Sequence, residues 1–156
     1  MVGAGGQRNA AGKLERCKAL GLDVGVLPDS GKFATAIPSP AAIIELVGGD
    51  YLAEDLRCIQ LRGRIVLVGL LAGAKTELDL GLVLRKRVQI TGTMLRARPL
   101  EEKIAAMRVF ETQVVPLLVR GRVKPVVDRV FPLADAPRAH EHMASNDGFG
   151  KIVLSC

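Results

Sequence analysis

Gly63-Arg64-Ile65-Val66-Leu67-Val68-Gly69-Leu70-Leu71-Ala72-Gly73 opens the stretch that decides the fold, and Arg87-Val88-Gln89-Ile90-Thr91-Gly92-Thr93 closes it. Arg64 to Val68 is a short apolar run of β-branched and Leu residues between two glycines. A strand buried on both faces reads this way. Val88 to Ile90 begins a second run that also ends in a glycine, Gly92. In open parallel sheets, ligands settle just beyond the carboxyl ends of the strands. Small residues at two neighbouring strand ends suit a flat ring lying against backbone. They equally suit plain turns, because Gly is the default turn residue. Both readings stand on the sequence.

The pattern repeats on either side. Ala11 to Leu20 reads as a helix with Leu14, Cys17 and Leu20 on one face and Gly21 as its stop. Asp23 to Leu27 is expected as a short strand, and Lys32 to Ile37 as one helical turn ended by Pro38-Ser39-Pro40. Ala41 to Val47 is a further buried-type strand ending in Gly48-Gly49, and Asp50 is placed to cap a helix through about Gln60, with Leu52, Leu56 and Ile59 inward. Glu77 to Lys86 is ambiguous: Leu78, Leu80, Leu82 and Leu84 alternate like a strand, but the βαβ rhythm asks for a crossover helix. Leu100 to Val115 is the clearest helix, its inward face made of Leu100, Ile104, Met107, Phe110 and Val114 and its end set by Pro116. Val126 to Phe131, Ala134 to Ala144 and Lys151 to Leu154 complete the alternation as strand, helix and strand. The fold class is therefore α/β, a Rossmann-like doubly wound parallel sheet in a single domain.

The chain has 156 residues, 49% of them hydrophobic and 24% charged, which is ordinary for one folded domain with a real core. Aromatics are only 3%, which argues against a stacking platform for single-stranded nucleic acid. The net charge is +6, gathered at Arg85 to Arg87, Arg96 to Arg98 and Arg120 to Lys124. Such clusters attract nucleic acid, an anionic membrane or a phosphorylated cofactor, and they also arise simply as solvated helix ends. Neither nucleic acid nor a membrane is the expected partner. Cys17, Cys58 and Cys156 are far apart, and no Cys or His spacing suits zinc or a disulfide framework. Met1 to Asn9 lacks the apolar core of a secretion signal, so a reducing cytoplasm is the expected compartment. His140 and His142 sit two apart on a helix, a poor metal pair. No Gly-x-Gly-x-x-Gly lies between a strand and a helix; Gly3-Ala4-Gly5-Gly6 comes nearest.

Six segments in order carry a resemblance. They are Lys13-Leu14-Glu15-Arg16-Cys17-Lys18-Ala19-Leu20-Gly21, Glu45-Leu46-Val47-Gly48-Gly49-Asp50-Tyr51-Leu52, Gly63 to Leu70, Thr91-Gly92-Thr93-Met94-Leu95-Arg96-Ala97-Arg98-Pro99, Pro125 to Leu133, and Gly150-Lys151-Ile152-Val153-Leu154. Together they resemble the cofactor-domain end of the medium-chain dehydrogenase/reductase superfamily, in its zinc-free quinone oxidoreductase branch. The resemblance implies NADPH as cofactor, with NADH as the alternative, no metal, and hydride transfer to a quinone or another activated carbonyl or alkene. It also implies a homodimer. Carried over by position, Val47 and Gly48 flank the adenosine side, while Gly69, Leu70 and Leu71 form the strand-end loop near the nicotinamide. Thr93, Met94 and Leu95 line its other side, and Asn146 reaches the cofactor. Lys13 pairs with a 2′-phosphate, and Gly5 and Gly6 lie by the adenine ribose.

The sequence also departs from that pattern. The family's glycine fingerprint and its separate catalytic domain would precede Met1, and Leu27-Pro28 stands where the family has Asn-Tyr. The expectation is a cofactor domain incomplete at its N-terminus, binding NADPH more weakly than a full-length relative because most of the helix-terminus anion site is missing. The competing expectation is a non-catalytic oligomerisation or binding module.

Overall fold

The computed structural model describes residues 10–28 and 31–156. The chain divides into two compact units, which meet in sequence between Met94 and Leu95.

The first unit is built on a three-stranded parallel sheet in the order β1-β2-β3, with β1 at Ala42–Glu45, β2 at Arg64–Leu67 and β3 at Gln89–Gly92. Helix α1 spans Ala10–Ala19, α2 Tyr51–Cys58 and α3 Leu80–Lys86. Parallel neighbours need a crossover, and α2 and α3 are those crossovers. The register sets Ile43, Ile65 and Ile90 side by side, and two residues further along Glu45, Leu67 and Gly92. Side chains alternate across a strand, so these two rows share a face. Leu52, Leu56 and Ile59 of α2 pack onto that face around Ile65, with Leu78, Leu82 and Val83 beside them. Leu56, Ile59 and Ile65 are at most 1% exposed. Full burial of such a side chain contributes roughly 1.5–3 kcal/mol. The opposite face holds Ile44, which is 73% exposed. The Arg64 to Val68 run is thus covered on the Ile65 face, and Val68 stays exposed at its end.

Two ties hold the amino ends of the strands. The Lys86 ammonium donates to the carbonyl oxygens of Leu56 (3.0 Å), Arg57 (2.6 Å) and Ile59 (2.8 Å). It thereby satisfies the orphan acceptors at the end of α2. In return the Arg62 amide donates to the Lys86 carbonyl at 2.7 Å.

The second unit pairs β4 (Val127–Pro132) with β5 (Lys151–Ser155) in parallel, with a register shift between Val127 and Arg129. Between these strands run a 3-10 turn at Leu133–Asp135 and α6 at Ala136–Ser145, whose Pro137 sits in the first turn. Helices α4 (Leu100–Gln113) and α5 (Val115–Val119) precede them, and Pro116 opens α5 instead of merely ending α4.

Several expectations are corrected. Asp23 to Leu27 forms no strand; only Val26 makes a bridge, because Gly25 interrupts the run and the sheet offers no ladder beyond β1 among the described residues. Asp50 makes no side-chain cap; its backbone is already helical, and its carboxylate accepts instead from the Thr76 hydroxyl at 3.4 Å. Glu77 to Lys86 resolves as helix from Leu80, with Asp79 as the true cap accepting from the Leu82 amide at 3.1 Å. Helix α4 exists as read, yet Leu100, Ile104, Met107 and Phe110 are all exposed, so its apolar stripe does not face a core.

Candidate cofactor site

Because the three strands run parallel, their carboxyl ends lie along one edge, and the loops leaving them meet there. The Val68 amide donates to the Glu45 carbonyl at 2.8 Å, and the Ala72 amide to the Val47 carbonyl at 2.7 Å. The Gly49 amide donates to the Gly73 carbonyl at 3.0 Å, and Gly48 and Gly73 form a parallel bridge. Residues 46–49 and 68–73 are therefore one interlocked pair of loops. From the third strand, the Thr93 amide donates to the Leu67 carbonyl at 2.9 Å.

This pairing explains two glycines. Gly48 is buried with φ near 70°, and a Cβ there would lie 2.8 Å from the Gly73 carbonyl oxygen. A Cβ on Gly69 would lie 2.6 Å from the Leu46 carbonyl oxygen. Close backbone approach accounts for both. Gly92 differs, since a Cβ there would meet nothing within 4 Å. The end of β3 is thus open backbone, the kind of surface on which a planar ring can lie. Leu70 and Leu71 at 53% and 85% exposure, with Met94 at 64%, add apolar surface in the same unit.

Val47, Gly48, Gly69, Leu70 and Leu71 lie in the paired loops, and Thr93 and Met94 continue the same unit from β3. Lys13 sits on α1, half-buried. Leu95 and Asn146 belong to the second unit. Asn146 caps α6 in the left-handed conformation, φ 62°, which Asn tolerates better than most residues. Gly5 and Gly6 lie outside the described residues. A cavity of about 500 Å³ in the first unit is lined by Cys17, Leu22, Ile37 and Pro38, and contains none of these positions.

Buried carboxylates support the loops, and the sequence reading missed them. Glu45, 5% exposed, accepts the Val47 amide and, at 2.7 Å, the Gly48 amide. Glu54 accepts the amides of Phe33 at 3.0 Å and Ala34 at 2.9 Å and pairs with Arg57. Burial pushes its carboxyl up, but those amides and Arg57 outweigh it and hold the group below its usual range. Asp55 is 3% exposed, and burial together with the Glu45 and Glu54 carboxylates raises it to about 8. One signal was available: Asp55 falls on the inward helical face with Leu52, Leu56 and Ile59.

In the second unit, Asp128 on β4 accepts the Phe149 amide at 3.0 Å and contacts His142 Nε2 at 2.7 Å. The Phe149 amide, then His142, hold this carboxyl below its usual range. The pair pins the 146–150 loop, which carries Asn146, to the strand. Among the described residues, no three His, Cys, Asp or Glu side chains gather into a cation-holding group. No helix there is long and apolar enough to cross a membrane.

Known proteins share this architecture. The chain is 26% identical over 155 residues to quinone oxidoreductase-like protein 2 of Rattus norvegicus, covering 94% of this chain and 44% of that protein. It is 30% identical over 113 residues to the quinone oxidoreductase of Mus musculus, covering 72% of this chain and 32% of that protein. A solved NAD-dependent alcohol dehydrogenase superposes with a TM-score of 0.69 at 26% identity, over 94% of this chain and 42% of the other. The chain thus spans under half the length of these relatives. The sequence profile of the zinc-binding dehydrogenases matches residues 23–154, and the chain belongs to the zinc-binding dehydrogenase family.

Proposed function

We propose that this chain is the cofactor-binding part of an NADPH-dependent oxidoreductase of the quinone reductase type, working as a homodimer. The observation that carries the reading is the interlocked pair of strand-end loops, 46–49 with 68–73, beside the open backbone at Gly92. A bound reduced nicotinamide supplies a hydride to a quinone or an activated carbonyl or alkene, and a proton from solvent completes the reduction. The residues of this chain orient it. Val47 and Gly48 flank the adenosine side, and Gly69 with Leu70 and Leu71 forms an apolar shelf that excludes water from the ring. Thr93 and Met94 line the other side. Lys13 favours NADPH as a point charge for the 2′-phosphate. Support comes from the quinone oxidoreductases among the relatives and from the NAD-dependent dehydrogenase of like fold.

Titrating the purified chain with NADPH and NADH, followed by nicotinamide fluorescence, tests this. Saturable micromolar NADPH binding is expected to support the reading, and absence of binding at millimolar cofactor refutes it for this chain. A second reading rests on β3, whose outer edge has no strand partner among the described residues and is open to pairing with a second copy. Self-association that resists salt, without any nucleotide binding, favours a purely structural module.

A further inference from the structure

Glu45 and Asp55 are the two most deeply buried carboxylates of the described chain, at 5% and 3% exposure. Glu45 ends β1 and spends one oxygen, Oε1, on the amides of Val47 and Gly48. Asp55 reaches Glu45 from α2, and its Oδ2 is fully enclosed with no donor beside it. Among the described residues, the groups recorded around the pair do not relieve a second negative charge. Glu54 on α2 is a carboxylate already committed to Phe33, Ala34 and Arg57. Tyr51, also on α2, is itself held neutral by burial and by the Glu45 charge. Burial, then the Asp55 charge, push the Cys58 thiol up to about 11. Lys86 on α3, the cation that acts on that thiol, has its ammonium engaged by three carbonyls. Two carboxylates in contact in such surroundings cannot both ionise cheaply, and a hydrogen bond between them requires one proton.

We propose that Asp55 is a positioning residue that carries this proton: it donates to Glu45, Glu45 holds the Val47 and Gly48 amides, and the loop at the end of β1 loosens as the proton is lost. The 46–49 loop is hydrogen-bonded to the 68–73 loop, so the loosening reaches both halves of the proposed cofactor shelf. Its functional consequence rests on the cofactor reading above; the latch itself does not. The sign follows from linkage. With Asp55 at about 8 when closed and near 3.9 when exposed, the proton favours the closed loop most in acid. That preference declines as pH rises from the ordinary carboxylate range to about 8, and is flat above it.

The test is amide hydrogen exchange at Val47 and Gly48 in the full chain, corrected for intrinsic rates, from pH 5 to 9. Protection in the wild type is expected to fall by up to about tenfold per pH unit and to level off above about 8, the limit for one linked proton. In Asp55→Asn, whose side-chain amide donates to Glu45 without titrating, protection is expected to be flat. A flat wild-type profile, or an unchanged slope in Asp55→Asn, overturns the proposal. Carbon-13 titration of the wild-type Asp55 carboxyl decides independently of whether the variant folds: a midpoint near 8 supports the latch, and one in the ordinary carboxylate range overturns it. If the latch titrates but NADPH binds at no pH, the cofactor reading fails while the latch stands.

Discussion

Two strand-end glycines answer different questions, and substituting them in parallel separates packing from binding. Gly69 has an ordinary negative-φ or extended backbone, so alanine there is opposed by space and not by conformation. The new Cβ would sit 2.6 Å from the Leu46 carbonyl oxygen, 3.3 Å from its carbonyl carbon and 3.4 Å from its Cα. All three are backbone atoms of the facing loop, so relief requires the two loops to part. Overpacking of this kind costs roughly 1–3 kcal/mol. For a chain of this size that lowers the melting midpoint by about 2–4 °C for each kcal/mol. At Gly92 the same Cβ meets nothing within 4 Å, so alanine there is expected to change stability by less than about 0.5 kcal/mol. If Gly92 is open because a ring lies on it, Gly92→Val leaves the melt unchanged and weakens NADPH binding by tenfold or more. Thermal melts by circular dichroism and parallel cofactor titrations read both effects. Gly69→Ala melting like wild type would refute the loop-contact argument. Gly92→Val binding like wild type would refute the ring-bed argument.

Three further outcomes follow from the same geometry. Leu56→Ala removes the centre of the first unit's core and is expected to destabilise it by about 2–5 kcal/mol in urea unfolding, more than any change on the exposed stripe of α4. Glu54 lies below its usual range when folded, so its contribution is complete above the unfolded value near 4.5 and is lost as pH falls through the lower folded value; wild type should lose midpoint on acidification in that window, and Glu54→Gln should lose less. Asp128→Ala releases both the Phe149 amide and His142, so exchange at Phe149 should quicken while that at Ile65 in the other unit is unchanged.

Much of this was legible from spacing. The helix over 10–19, the inward trio Leu52, Leu56 and Ile59, and the paired strands ending in glycine all follow from period and punctuation. The crossover at Leu80 needed the βαβ rhythm to override the strand-like alternation of four leucines. Pattern failed where a local signal did not build an element. Val24 and Val26 have strand character, but among the described residues Val26 makes a single bridge and no strand forms there. Helix α4 is amphipathic in sequence, yet amphipathicity does not say that a surface exists to receive it. The buried carboxylates at 45, 54 and 55 carry little signal in the sequence, because charged groups usually lie at the surface. Only tertiary structure shows that Glu54 is matched by the amides of Phe33 and Ala34 from a distant segment, while Glu45 is matched by the amides of the loop that follows it.

The clasp at Lys86 has a chemical consequence. An ammonium has three protons, and three carbonyls take them. To attack an acylating reagent the nitrogen must first shed a proton and expose a lone pair, which breaks one of those bonds. Lys86 should therefore be a slow nucleophile, acquiring an acetyl group only when the end of α2 frays, so that its labelling rate reports on the opening of that helix.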